Sequence, residues 1–361
     1  MAISPRQRFL QYVRYPQGAL PVVSPFLPHQ PVVKAALAYL GLPIRDDFVA
    51  NEITLARHLG YQPMFMTDFE TLLFPWREER VEGDTVVSSI EVGGVRWERK
   101  VSRSLGAWGS EDAFPVRAPE DHQKLSIVCE AVPERADSIR QYFRAWRQRV
   151  GEEGVIVLGH PHVSWLGCQI GPQTMLMQWA DAPDLFRSSM EAVYRASLVI
   201  MEIALAEGID FMSESSYGLE MSSPALIEEV DLPYIRRLSA WTHERGGKFW
   251  YHNCGHTRAL IRSGLFDRMG ADVIETVAPP PCGDNDLGES RRMLDREIVT
   301  KGNLDLGLLR QGTVDQVKAA TRAMVDAVRR FPHIFSTADA VLEGTPPANY
   351  VAFVETALQE A

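Results

Sequence analysis

Short apolar runs bounded by Gly, Pro or Asp alternate along this chain with longer segments whose apolar residues recur every three or four positions. The first pattern reads as strands buried on both faces, and the second as helices with one core-facing stripe. Strands are expected at Leu20–Ser24, Val155–Gly159, Phe211–Glu214, Lys248–Tyr251, Val273–Thr276, Ile298–Gly302 and Ile334–Ser336. Between them, helices are expected over Ala182–Glu207, with its Leu185, Met190, Val193, Leu198 and Ile200 stripe, over Pro224–Arg245 and over Thr313–Arg330. Thr313 is placed to cap the last of these, and Asp315 in its first turn favours the helix dipole. Regular β/α alternation of this kind implies a parallel sheet with helical crossovers, and its extent fits a (β/α)8 TIM barrel of the α/β class.

One stretch breaks the rhythm. Val86 to Glu98 alternates apolar and polar residues on both sides of Gly93-Gly94, the signature of an antiparallel hairpin with one solvated face, so a small β-hairpin insertion is expected near residues 80–100. No repeat, low-complexity tract or Gly/Ser linker interrupts residues 1–361, which points to a single domain.

Composition narrows the function. At 361 residues, 45% hydrophobic and 23% charged, the chain is ordinary globular material. A net charge of −10, with arginines scattered among acids, argues against a nucleic-acid partner. The arginine-bearing N-terminus lacks a signal-peptide core, and no window has the roughly 18 apolar residues of a membrane helix. A soluble, cytoplasmic protein with no membrane partner is expected. Four cysteines, Cys129, Cys168, Cys254 and Cys282, are too few for a disulfide scaffold. Cys129 reads as a core residue.

Chemistry concentrates at the strand ends, which in a barrel of this type converge on one mouth. The apolar run Lys248–Tyr251 delivers His252 and Cys254 two residues apart; Glu275 sits in the next strand; Cys282 follows in the stiff Pro279-Pro280-Pro281 loop. Imidazole, thiolate and carboxylate together suit zinc, whereas magnesium or calcium prefers oxygen alone. His252, Cys254, Glu275 and Cys282 are therefore the expected metal ligands, with Glu275 as the replaceable one. His160 and His162 after the second of these strands, and Glu214 in the third, are expected to bind substrate or move protons. Asp284, Asn303 and Asp305 read as turn residues that hold the rim together.

At these residues the chain resembles the uroporphyrinogen decarboxylase superfamily and, within it, the zinc-dependent corrinoid methyltransferases. The likeness runs through Ser222-Ser223-Pro224, His252-Asn253-Cys254-Gly255-His256-Thr257, Lys301-Gly302-Asn303-Leu304-Asp305 and Gly344-Thr345-Pro346-Pro347-Ala348-Asn349. It implies a TIM barrel whose zinc activates a methyl donor or an acceptor thiol, with the methyl group passing through cobalamin carried on a separate corrinoid protein. His252 and Cys254 match the family's His-x-Cys ligands, and Glu275 lies where an acidic ligand is expected. The family's further thiol before the closing Thr-Pro has no counterpart in Phe335-Ser336-Thr337-Ala338, so Cys282 is expected to replace it.

The expected activity is methyl transfer between a small molecule, such as a methoxyarene undergoing O-demethylation, and the corrinoid partner. The alternatives are a methylcobalamin:thiol (coenzyme M-like) methyltransferase and a metal-independent decarboxylase-like lyase. Gln7-Arg8-Phe9-Leu10-Gln11-Tyr12 does not reproduce the arginine-rich N-terminal signature of the decarboxylase branch. The oligomeric state is open, a homodimer being compatible with all of this.

Overall fold

The computed structural model describes residues 3–17, 19–104, 113–159, 169–215 and 223–361. They group into two compact units, the first comprising Met1–Thr67, Ala145–Val157 and Ile209–Ala361, the second Asp68–Arg144 and Leu158–Gly208.

The first unit is built on a curled sheet of eight parallel strands: β1 (Val22–Val23), β2 (Met64–Met66), β6 (Val155–Val157), β7 (Phe211–Ser215), β8 (Lys248–Asn253), β9 (Val273–Thr276), β10 (Val299–Leu304) and β11 (His333–Thr337). Their order is β1-β11-β10-β9-β8-β7-β6-β2. The two ends of that order are joined through Gln62, whose N–H donates to the Val23 carbonyl at 2.9 Å and whose Oε1 accepts from the Val23 N–H at 3.3 Å. This is the TIM-barrel type of fold expected from the alternation.

Seven of the eight strands coincide with sequence expectations to within a few residues. Met64–Met66 was not expected, because three residues after a proline carry too little pattern to register. The helix expected over Pro224–Arg245 is present as a short α segment Pro224–Leu226, a π turn Ile227–Asp231 and an α-helix Leu232–Glu244. Thr313 caps Val314–Val328 by accepting from the Gln316 N–H, and Gln316 returns the bond to complete a capping box.

Alternation along each strand sends every second side chain into the sheet's concave interior. Val22, Met64, Val155, Phe211, Trp250, Val273, Val299 and Ile334 fill it in one buried cluster. Helix Pro5–Arg14 closes the amino-terminal end of this core. Its Ser4 cap and Gln7 form a capping box, and its buried Phe9 packs against the rings of Phe211, at 5.8 Å, and Trp250, at 6.3 Å. Tyr12 on the same helix uses its hydroxyl to bridge the His333 N–H and carbonyl, each at 3.0 Å.

The second unit contains the antiparallel insertion. It has three strands, β3 (Arg77–Glu82), β4 (Thr85–Val92) and β5 (Val95–Ser102), where a two-stranded hairpin was expected. β3 leaves no signal in the sequence because its Arg-Glu-Glu-Arg-Val-Glu segment is exposed throughout and has no apolar face. The β4–β5 turn is Gly93-Gly94, both with positive φ, which the tight two-residue turn requires. Arg99 lies over the Trp76 ring at 4.5 Å and pairs with Glu70 at 2.6 Å. Helix Pro183–Ala206, one residue shorter than expected at each end, packs against Pro119–Glu130. Among the described residues, no helix is long and apolar enough to cross a membrane.

Candidate metal centre

The site begins with strand register. Ser213, Trp250, Val273 and Val299 are lateral neighbours on β7 to β10, and two residues further along the same strands lie Ser215, His252, Glu275 and Lys301. Because two residues is one strand period, both rows face the interior. The lower row is mainly apolar. The upper row, nearer the carboxyl ends, carries an imidazole, a carboxylate and an ammonium side by side.

Glu275 and Lys301 are both fully buried and form an ion pair through Glu275 Oε1 and Lys301 Nζ. Glu275 Oε2 takes the indole N–H of Trp250 at 3.1 Å and lies 3.3 Å from His252 Nδ1. A carboxylate only accepts, so Nδ1 is the protonated nitrogen of this contact and donates to it. Burial works against the Glu275 charge, but the Lys301 ammonium, with hydrogen bonds from His252 and Lys301, holds its carboxyl well below the usual range. Burial likewise works against a charged His252, yet hydrogen bonds with Cys254 and Glu275 and the nearby Asp339 and Glu275 carboxylates raise its pKa well above the ordinary value.

A ligating nitrogen of His252, the Cys254 thiol and an Asp339 carboxylate oxygen all lie within 4.8 Å of one another. His252 is the penultimate residue of β8, Cys254 follows that strand directly, and Asp339 stands two residues beyond β11, so positions at the carboxyl ends of two strands supply the donors. Asp339 was not among the sequence candidates. It stands directly after Phe335-Ser336-Thr337-Ala338, the segment in which a further thiol was sought. The available signal was an acidic donor one residue beyond that segment.

Of the expected ligands, His252 and Cys254 come together with Asp339. Glu275 is next to His252, with its oxygens engaged by Lys301, Trp250 and His252 as described. Cys282 is exposed and falls outside the three-donor group; partial desolvation, together with the Asp305 and Asp339 carboxylates, raises its thiol pKa. Glu214 is buried in β7, where alternation puts it on the opposite face from Phe211, and its Oε1 accepts from the Ser215 N–H at 2.8 Å. His160 and His162 lie outside the described residues.

The rim residues take up turn amides. Asp284 Oδ1 accepts from the N–H groups of Thr257 at 2.9 Å and Arg258 at 3.0 Å, Asp305 caps Leu306–Gln311 through the Leu308 N–H at 2.6 Å, and Asn303 donates to the Val277 carbonyl at 3.0 Å. Gly302 sits so close to the Thr276 carbonyl, with φ at 146°, that a side chain there would strike backbone, which accounts for glycine between Lys301 and Asn303.

A barrel of parallel strands with its polar donors gathered at their carboxyl ends defines the class: this is the arrangement of TIM-barrel enzymes. The chain belongs to the uroporphyrinogen decarboxylase (URO-D) family, whose model matches residues 114–359. It is 35% identical over 303 residues to the uroporphyrinogen decarboxylase of Crocosphaera subtropica, covering 80% of this chain and 81% of that protein. A shorter match, 28% over 145 residues, relates it to uroporphyrinogen decarboxylase 2, chloroplastic, of Arabidopsis thaliana, covering 39% and 34% of the two chains. Among solved structures it shares its fold with a methyltransferase from Methanosarcina mazei, with a TM-score of 0.68 at 14% identity and 99% of each chain covered.

Proposed function

We propose that this protein is a zinc-dependent methyltransferase that moves a methyl group between a small-molecule donor, an aryl methyl ether being the favoured class, and the cobalamin of a partner corrinoid protein. The observation that carries this reading is the meeting of His252, Cys254 and Asp339 donors within 4.8 Å at strand carboxyl ends. One nitrogen, one sulfur and one oxygen donor fit zinc, and three protein ligands leave a fourth tetrahedral position for substrate, the pattern of catalytic zinc sites. Hard cations such as magnesium do not favour the thiolate. The shared fold with the Methanosarcina mazei methyltransferase supports the same reading.

When bound, zinc supplies Lewis acidity at a substrate oxygen, or lowers the pKa of an acceptor thiol. The chain's own residues prepare the site for it. Glu275 takes the Nδ1 proton of His252 as a hydrogen bond, so Nε2 is the nitrogen that would meet the metal. A thiolate at Cys254 and a carboxylate at Asp339 would together balance the charge of a bound divalent ion. The oxygen donor of Asp339, in place of a second thiolate, favours an ether-oxygen substrate over a thiol.

The test is metal content and methyl transfer in one preparation. The wild-type protein should carry about one zinc per chain and methylate cob(I)alamin on a supplied corrinoid protein from a methoxyarene such as 2-methoxyphenol; Cys254→Ala should lose both. A second reading, a metal-independent decarboxylase, draws on the 35% identity to the Crocosphaera protein. It requires a zinc-free protein that decarboxylates uroporphyrinogen and keeps that activity in Cys254→Ala.

A further inference from the structure

The Glu275–Lys301 pair is costly to place where it is. Both side chains have no solvent exposure, and one strand period below them the same interior positions of β9 and β10 are filled by Val273 and Val299. Apolar residues can therefore occupy this interior, and a buried ion pair is seldom more stabilising than the apolar residues that could replace it. The pair is nevertheless held tightly. Lys301 Nζ lies over the rings of Phe26 at 5.5 Å and Trp250 at 5.8 Å, and Trp250 is itself locked between Phe9 and Phe211 while its N–H fixes Glu275 Oε2. The one neighbour of this assembly that also belongs to the three-donor group is His252, whose Nδ1 is 3.3 Å from Oε2.

We propose that Lys301 and Glu275 are positioning residues for the metal-binding imidazole: Lys301 holds Glu275 as a fixed carboxylate, and Glu275 fixes the ring plane and tautomer of His252 so that Nε2 faces Cys254 and Asp339. This rests on the zinc reading above and deepens it. A carboxylate behind a ligating histidine both orients the ring and increases its donor strength, and loss of such a partner typically weakens metal binding by about 10- to 100-fold. Of the three donors, His252 is the one hydrogen-bonded to this pair, through Glu275, so the pair's influence should reach the metal through that ring.

Replacing either residue singly strands a buried charge, so the informative variant is the neutral pair Lys301→Met/Glu275→Gln, which keeps an acceptor for Trp250. Zn2+ affinity is measured by competition with a chromogenic chelator, and folding by thermal denaturation of the metal-free protein. The expected result is a melting temperature at or above that of the wild type with Zn2+ bound about 10- to 100-fold more weakly. Should the glutamine variant fail to fold, Lys301→Met/Glu275→Met tests the same point with an apolar pair. A folded neutral variant that binds Zn2+ as tightly as the wild type overturns the positioning role. A wild-type protein that binds no zinc overturns the metal reading itself, and that arm is measured first.

Discussion

Two buried carboxylates in the same unit sit at opposite ends of its strands. Asp210, immediately before β7, has a side chain only 1% exposed and is held by Arg6 Nε at 2.8 Å, Arg147 Nη1 at 2.9 Å and the Ile156 N–H at 2.8 Å. Glu275, at the carboxyl end of β9, is held by Lys301, Trp250 and His252. Asp210 joins the amino-terminal helix, the Arg147 helix and the β6 backbone, so its partners are the framework. Glu275 has one partner among three metal-type donors. Position along a barrel strand thus separates a carboxylate that secures the fold from one that serves a site, as the division of labour in these barrels leads one to expect.

The sharpest way to break the comparison is at the donors. Cys254→Ala or Asp339→Ala should reduce zinc affinity by more than the ~100-fold upper value for an outer partner, because a ligand itself is lost, while the melting temperature of the metal-free protein stays within about 1 kcal/mol equivalent of wild type. Chelator competition and calorimetry together check this, and a large stability loss without metal would place these residues on the framework side.

Next in size, Asp210→Ala should destabilise the protein by about 3 kcal/mol, since it leaves two partly buried guanidinium groups and a buried N–H without their acceptor. Zinc stoichiometry should not change. Denaturant unfolding gives the first quantity and metal analysis the second; a variant that unfolds normally but loses zinc would erase the distinction.

A pH-dependent effect belongs to the closed end. His333 is buried, its Nδ1 accepting from the Thr300 hydroxyl at 2.8 Å and its Nε2–H donating to the Gly302 carbonyl at 2.8 Å. Burial pushes its pKa down to about 3, with Arg291 and Lys301 adding to the shift and the Gly302 bond opposing it. The unfolded chain, with an ordinary histidine near 6.5, therefore binds more protons than the folded one between these values. Its contribution is complete above about pH 6.5 and is lost as pH falls toward 3, at roughly 1.4 kcal/mol per pH unit. His333→Gln, which can reproduce both hydrogen bonds, should flatten the stability curve between pH 6 and 4; an unchanged slope would show that His333 is not its source.

The smallest effect is in thiol labelling. Burial raises the Cys129 thiol to about 12, so it should resist alkylation in the native protein at pH 8, whereas exposed Cys254 and Cys282 react. Added zinc should protect Cys254 and leave Cys282 reactive. Equal protection of both thiols would bring Cys282 into the metal site.

Periodicity made most of the barrel legible because buried strands and amphipathic crossovers each leave a repeating apolar signature. It failed at Met64–Met66, where three residues are too few to repeat, and at β3, whose exposed surface has nothing apolar to repeat. In the site, His252 and Cys254 were visible because two uncommon donors share one strand end. Asp339 was not, since an aspartate in a loop after Ser-Thr-Ala is ordinary turn chemistry until the fold sets it beside them. Along the sequence Lys301 is only one residue of a strand-end motif. Its meaning lies in register, which pairs it with Glu275 across two strands and is invisible along one.

Zinc K-edge X-ray absorption on the purified protein tests the His252–Cys254–Asp339 centre most directly. The expected spectrum has one sulfur at about 2.3 Å with nitrogen and oxygen neighbours near 2.0–2.1 Å. Two sulfurs in the first shell, or no zinc at all, would contradict it.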